Sequence, residues 1–428
     1  MRRFVWILFL AFPLMASDNN ELQMTNFELQ DTGNGEWKKE NGKWETLHSH
    51  FLPLTAHRFV LAFQSSIINH PSPILVNGWA QGRLSGQWVI QDSLRSWLYS
   101  TRGILLPGIE WIFLEKGDWT ADMEFRLQAN YDFTVTDKEK KSAEDMEIYR
   151  GWLRFYSPFS EFRIGYQQLN FGSGRYGRAL NWFDNINYLD PQKMTAGVWG
   201  ARMQLFYHNN ANLWLWSLYG NENIRDQSWD IQKDKPEFGG RLQVPIFNGE
   251  MGFTGHYREV EKELNTGIER RIGLDGVWDP IIGIWFESSL ASLDIPEYGW
   301  NNEWLRWNHV TGLDYTFGIG NGLNIAIEGT ISGKKSNPSE WNSFHKAWSL
   351  HHQYRLYASY LFSILDQIYL SAILSEDSDF VSGGLAWVRS TDDWTIYLSV
   401  SDLSSRIFTE DLTKRHTIST SLWITRYF

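Results

Sequence analysis

Apolar and polar residues alternate with a period of two through much of the chain. In residues 119–131, Met123, Phe125, Leu127, Ala129 and Tyr131 share one face, while Asp122, Glu124, Arg126, Gln128 and Asn130 share the other. Successive side chains of a strand point to opposite faces, so this pattern separates an apolar environment from a wet one. The alternation recurs far downstream. Leu323, Ile325, Ile327 and Ile331 oppose Asn324, Glu328 and Thr330, and Trp394, Ile396, Leu398 and Val400 oppose Thr395, Tyr397, Ser399 and Ser401.

The connections alternate between short and long. Short turns are predicted at 157–160, 208–211, Asn248-Gly249, Asp279-Pro280, Asn321-Gly322, 363–366 and 390–393. Asn-Gly suits a tight hairpin because both residues accept positive φ. Longer polar segments fall at 132–144, 170–196, 221–236, 261–268, 292–303, 333–347 and 403–413, and only 376–378 is too short for its place. The intervening pieces predict sixteen strands, starting near 119, 145, 161, 197, 212, 237, 249, 269, 281, 304, 322, 348, 364, 379, 393 and 414. Two more, at 76–90 and 103–115, bring the count to about eighteen, with sixteen as the alternative. The expected class is all-β, a transmembrane antiparallel up-and-down barrel over residues 75–428. Short turns on one side and longer loops on the other suit an outer-membrane barrel. A soluble sandwich or propeller would instead show a shared core or repeat motifs, and none is visible.

The first residues refine this picture. Met1-Arg2-Arg3, the apolar run Phe4–Phe12 and Ala16 before a cleavage point read as a signal peptide over 1–16. Residues 17–74 stand outside the hairpin series, with a possible short helix around Leu54–Phe63. A periplasmic extension, a plug in the lumen and a disordered leader all stay open for them. The absence of cysteine excludes a lipoprotein anchor and a disulfide scaffold. No later apolar stretch is long enough for a spanning helix. Aromatic residues make up 16% of the chain, including 24 Trp, which suits the girdles where a barrel crosses lipid interfaces. A net charge of -11 argues against nucleic acid. The last residues, Leu422–Phe428, resemble the terminal aromatic strand read by the outer-membrane assembly machinery, with Arg426 expected at the interface. The expected location is the bacterial outer membrane. Expected partners are its lipid and lipopolysaccharide, that assembly machinery, and small solutes or glycans. The oligomeric state stays open.

If apolar positions meet lipid, the alternate ones line a lumen. That parity places Arg126, Arg150, Arg154, Arg163 and Arg202 on neighbouring strands, followed by Arg241, Arg258 and Arg271. The final third supplies mainly Ser, Thr, Tyr and Asn. Two readings of the arginines stay open: a ladder of salt bridges with Asp122, Glu124 and Asp275, or an anion-selective strip. The densest constellation begins at Arg163-Ile164-Gly165-Tyr166-Gln167, passes Gly172, Arg175, Arg178, Asp184 and Asp190-Pro191-Gln192-Lys193, and ends at Gly197-Val198-Trp199-Gly200-Ala201-Arg202.

Over residues 161–202 this stretch resembles the Arg-x-Gly-x-Gln pattern, with a following Gly, an Asp-bearing loop and a later Arg, of porin-like families such as the alginate-export-type barrels. The resemblance implies that Arg163, Gln167, Asp184, Lys193 and Arg202 surround a constriction made by the loop 173–195. Alginate itself is not implied. Gly172, Gly174 and Gly177 suit a loop that folds inward, and a surface lid is the alternative. The pore-lining candidates are therefore Arg126, Arg150, Arg154, Arg163, Gln167, Arg175, Arg178, Asp184, Lys193 and Arg202.

The leading functional expectation is a porin-like channel for small hydrophilic solutes, anionic or saccharide. Trp152, Tyr156, Trp214, Trp216 and Tyr357 are expected inward, to stack on sugars or fill space. The alternative is a non-conducting surface barrel for polysaccharide binding or capsule assembly, using Trp-rich segments at 298–304 and 337–348. An outer-membrane hydrolase lacks a supporting constellation. His351 and His352 would point to opposite faces of a strand, and His48 and His50 lack acidic companions. No catalytic residue, metal site or cofactor is expected.

Overall fold

The alternating segments form long antiparallel strands in a computed structural model that describes residues 74–91, 94–184, 192–221, 230–262, 265–295, 300–335, 348–375, 380–408 and 412–428. The first strands are β1 (Ile74–Gln91), β2 (Leu94–Lys116), β3 (Trp119–Thr136), β4 (Lys140–Ser157), β5 (Ser160–Gln167), β6 (Val198–Phe206) and β7 (Asn212–Leu218). A two-residue pairing, β8 (Asp230–Ile231), touches β10 outside the main wall. The wall continues through β9 (Glu237–Ile246), β10 (Gly249–Lys262), β11 (Asn265–Trp278), β12 (Gly283–Ile295), β13 (Trp300–Phe317) and β14 (Leu323–Lys335). It ends with β15 (Trp348–Leu361), β16 (Asp366–Ser375), β17 (Phe380–Ser390), β18 (Trp394–Phe408) and β19 (Leu412–Tyr427).

Each wall strand pairs antiparallel with its sequence neighbours, and β1 also pairs with β19. Setting β8 aside, the wall is a closed cylinder of eighteen strands. At the seam, Gly78 N donates to Phe428 O at 2.8 Å and Phe428 N donates to Gly78 O at 3.0 Å. Outside, Phe125, Ile164, Leu215, Phe253, Ile272, Ile327 and Leu398 remain exposed. Ile327 keeps 51% of its surface, which in water would be a large unfavourable apolar patch. Around a closed barrel it is the lipid-facing band of a transmembrane strand wall.

Two expectations need correction. Several polar segments read as loops are strand: 132–144 is crossed by β3 and β4, with only 137–139 between them, and the described residues of 261–268, 292–303 and 403–413 likewise belong to strand ends. Spanning a bilayer takes about 10 residues, whereas β1 to β4 have 18, 23, 18 and 18. Beyond lipid, the ladder still satisfies backbone groups while both faces become polar, so alternation disappears although the strand continues. The second correction concerns a turn. Phe247 and Asn248, not Asn248 and Gly249, take the positive φ values of 49° and 61°. Gly249 belongs to β10 instead, where a Cβ would lie 2.3 Å from Val277 O. Packing against Trp278 thus claims the glycine, and the bulky Phe247 accepts a disfavoured backbone.

The signal peptide and residues 17–73 lie outside the described residues, as do parts of both Trp-rich segments. Replacing outward Ile327 by Arg is expected to lower folding stability by roughly 2–4 kcal/mol, the cost of a cation facing lipid near mid-bilayer. Denaturant titration in lipid vesicles measures it.

Candidate functional site

The chain leaving β5 at Gln167 does not stay outside. It enters the barrel, and its apolar residues Leu169, Phe171, Leu180, Trp182 and Phe183 pack with Val198, Trp216 and Leu218 of β6 and β7. Phe171 stacks on Trp216 at 5.6 Å, and Phe183 meets the ring of His256 edge-on at 4.8 Å. The main apolar core of the described residues therefore lies inside the cylinder, on one side of it.

Two carboxylates on the far wall hold the loop. Glu287 of β12 accepts hydrogen bonds from Gly174 N at 2.6 Å, Ala179 N at 2.7 Å, Leu180 N at 2.9 Å and Arg178 Nε at 3.2 Å. Glu328 of β14 accepts from Gly177 N at 2.5 Å, Tyr176 N at 3.3 Å, Trp285 Nε1 at 3.0 Å and Arg355 Nη1 at 3.2 Å. Both are fully buried. Burial of a charge is costly unless donors surround it, and the loop backbone supplies those donors. Glycine permits the approach: a Cβ on Gly172, whose φ is +106°, would lie 2.3 Å from Glu287 Oε1, and one on Gly177 would lie 2.8 Å from Glu328 Oε1. Tyr176 stacks on Tyr357 with centroids 3.5 Å apart, and burial raises its phenol pKa above the ordinary value.

The ten candidates separate into two groups. Arg126, Arg150, Arg154, Arg163 and Arg202 come together on the wall from β3 to β6. Arg126 pairs with Glu110 at 2.6 Å and with Glu124, and Arg154 makes a bidentate pair with Asp122 at 2.9 and 2.5 Å. Glu161 is shared by Arg163 at 3.1 Å, Arg154 at 3.7 Å and Arg202. Arg150 differs from these: it donates to the neutral Tyr149 O at 2.5 Å, Thr195 O at 3.2 Å and Thr195 Oγ1, and it lies over the Tyr149 ring at 4.1 Å. A bulge opposite Arg126/Leu127 brings Tyr149 and Arg150 into this arrangement.

The loop candidates do something else. Arg175 crosses to Asp314 at 2.7 Å and lies over Trp285 at 4.4 Å, while Arg178 ties Glu287 to Asn170 Oδ1 at 2.9 Å and Phe171 O at 2.5 Å. Gln167 and Asp184 require correction as lining residues, being 2% and 1% exposed. Gln167 Nε2 donates to Gly200 O at 3.0 Å, and Asp184 accepts from Ala196 N at 2.9 Å and Gln168 Nε2 at 3.2 Å. They close the base of the loop, where backbone groups would otherwise be left unsatisfied. Lys193 is exposed with φ +44°, in the limb returning to β6. That limb also reaches β19, where Gln192 Nε2 donates to the Tyr427 hydroxyl at 2.8 Å.

Between this returning limb and the wall lies a cavity of about 310 Å³, lined by Trp79, Leu106, Glu124, Arg126, Tyr149, Arg150, Trp152, Arg163, Gln168 and Thr195. Arg163 covers the Trp152 ring at 4.3 Å. Sequence parity found these arginines but missed Glu161, Glu287 and Glu328 as organisers. Their inward parity was the available signal, and nothing local indicated which distant donors they would meet.

Fold and site together define a transmembrane eighteen-stranded antiparallel barrel with an infolded, anchored loop. Neither a family model nor a curated protein matches the sequence. Among solved structures, Pseudomonas aeruginosa OccK7 (OpdD) is similar with a TM-score of 0.52 and 8% identity, covering 82% of this chain and 98% of that one. Pseudomonas aeruginosa OccK5 (OpdH) is similar with a TM-score of 0.50 and 9% identity, over 82% of this chain and 98% of that one. An anion-selective porin from Comamonas acidovorans has a TM-score of 0.46 and 10% identity, over 83% and 100%. The likeness to the first two is one of fold.

Replacing Glu287 by Ala would orphan the N–H groups of Gly174, Ala179 and Leu180 at a cost of roughly 1–3 kcal/mol each. Faster protease cleavage within residues 168–197, with the barrel wall intact, is the expected outcome of limited proteolysis.

Proposed function

We propose that this chain is an outer-membrane channel for small hydrophilic solutes and that it favours anions. The observation that carries the reading is Arg150, which borders the wall-side cavity on neutral acceptors beside Arg126 and Arg163. Among Arg126, Arg150, Arg154, Arg163 and Arg202 and the carboxylates that pair with them, Glu110, Asp122, Glu124 and Glu161, there is one more cation than anion, while Glu147 and Asp145 stand farther along the same face of β4 opposite Gln128 and Asn130. A fixed excess of positive charge in a confined aqueous passage raises the local concentration of anions.

The two readings of the arginines support each other here. Most of the guanidiniums are held by carboxylates, which keeps the wall rigid, and Arg150 carries the excess. The infolded loop narrows the lumen beside this wall, its apolar residues packed on β6 and β7 next to Arg202 and its returning limb bordering the cavity through Thr195. Residues 161–202 resemble alginate-export-type barrels only in their local pattern, which supports an anionic or saccharide solute class without naming alginate.

Single-channel recording in planar bilayers tests the proposal. Discrete openings with an anion-selective reversal potential in a KCl gradient are expected, and Arg150→Glu should cut the anion-over-cation permeability ratio about twofold or more. A barrel that stays closed to ions, or one selective for cations before any substitution, would overturn it.

A further inference from the structure

Short turns cap one end of the barrel, from the one joining β2 to β3 round to the one joining β17 to β18. Those joining β9 to β10, β11 to β12, β13 to β14 and β15 to β16 are consecutive and carry bulky apolar tips. Phe247 and Ile364 are 92% exposed and Ile281 80%, with Ile319 exposed as well. The other turns differ. Gly117-Asp118, His208-Asn209-Asn210 and Thr391-Asp392-Asp393 are polar, and Phe159 of the remaining turn meets the His208 ring edge-on at 5.5 Å. Apolar surface left in water is unfavourable, so the four tips need a cover. A bilayer borders every turn alike, which does not account for apolar tips confined to the arc from β9 to β16.

The chain itself brings apolar residues to this end. Ile74 stands opposite Trp111, near the end of β2, and the Gly78–Phe428 pair lies next to Tyr427, whose N–H donates to Asp393 O at 2.9 Å. Residues 17–73, outside the described residues, therefore join the barrel at its turn end. Their sequence is mostly polar from Ser17 to His50, then gathers Phe51-Leu52, Phe59-Val60-Leu61-Ala62-Phe63 and Ile67-Ile68. The apolar arc begins at the second turn from the β19–β1 seam and ends on the opposite side of the barrel. The distance is within reach. Eighteen strands about 4.8 Å apart and tilted by about 40° make a cylinder roughly 35 Å across. An extended chain covers about 3.3 Å per residue, which lets Leu61 lie up to roughly 40 Å from Ile74.

We propose that the apolar stretch within residues 51–68 of this same chain docks on the turn tips Phe247, Ile281, Ile319 and Ile364, and so ties the N-terminal segment to one half of the barrel's turn end. Each partner supplies what the other lacks: the tips are apolar surface without a cover, and the stretch is an apolar run that enters at the same end. The inference is independent of the channel reading, since it involves neither the arginines nor conduction.

The chain has no cysteine, so an introduced thiol is the one that reacts. Ile319→Cys and Asn209→Cys fall in turns that are third from the seam in either direction, which makes one the control for the other. Each is made in the full-length chain in lipid nanodiscs and labelled with a hydrophilic maleimide. Labelling is compared between the native N-terminal segment and one carrying Phe59→Ser, Leu61→Ser and Phe63→Ser, with heat-dependent gel mobility reporting the folded barrel. The three substitutions are expected to speed labelling at Ile319→Cys threefold or more and to leave Asn209→Cys unchanged. A short bismaleimide should join Leu61→Cys to Ile319→Cys within one chain in several-fold greater yield than it joins Leu61→Cys to Asn209→Cys. Four results would each overturn the proposal. Labelling at Ile319→Cys that the three substitutions leave alone means lipid cover, and equal yields from the two pairs mean a tethered but undocked segment. Preferred linkage to Ser399→Cys on the lumenal face means a plug, and linked species of twice the chain mass mean that a second copy covers the tips.

Discussion

Hydrocarbon offers no hydrogen-bond partner to a peptide group, so every N–H and C=O that crosses it must be satisfied by the protein itself. In this chain the condition is met only when the last strand reaches the first. The Gly78–Phe428 pair marks that seam, and the register runs on from Trp79 opposite Tyr427 to Gln91 opposite Arg415. Closure then decides the rest of the architecture. Once the sheet is a cylinder, one parity of every strand must be apolar for lipid, and the other faces an enclosed space that has to be filled or wetted.

The chain fills that space unevenly. The loop from β5 to β6 brings its own apolar residues into the interior, where they pack on Trp216 and Leu218 and cover the buried pair His256 and Glu237, 3.1 Å apart. Glu287 and Glu328 draw the loop across the lumen. A buried carboxylate without donors costs several kcal/mol, and here each is met by loop N–H groups and an arginine. The cavity between the returning limb and β1 to β5 is bordered by Arg126, Arg150 and Arg163.

Parity carried much of this in advance. The positions of Arg126, Arg154, Arg163 and Arg202, and their acidic partners Asp122 and Glu124, follow from alternation because a strand's side chains have no other faces to choose. What misled the reading was also local. Outside the bilayer the ladder persists without amphipathic contrast, so 132–144 looked like a loop. Gly249 looked like a turn residue because the crowding by Trp278 comes from another strand. The resemblance over 161–202 put Gln167 and Asp184 at a constriction, and a local pattern does not distinguish a side chain that meets solute from one that caps a loop.

The sequence by itself determined the up-and-down wall, its approximate strand number and its two faces, since these depend on residues one or two positions apart. Tertiary structure alone decided where the long loop rests and which arginine lacks a carboxylate. Those outcomes depend on partners far apart along the chain, such as Gly174 and Glu287, separated by 113 residues. The energy of a buried charge is set by every donor that reaches it, and no local pattern records which of them will.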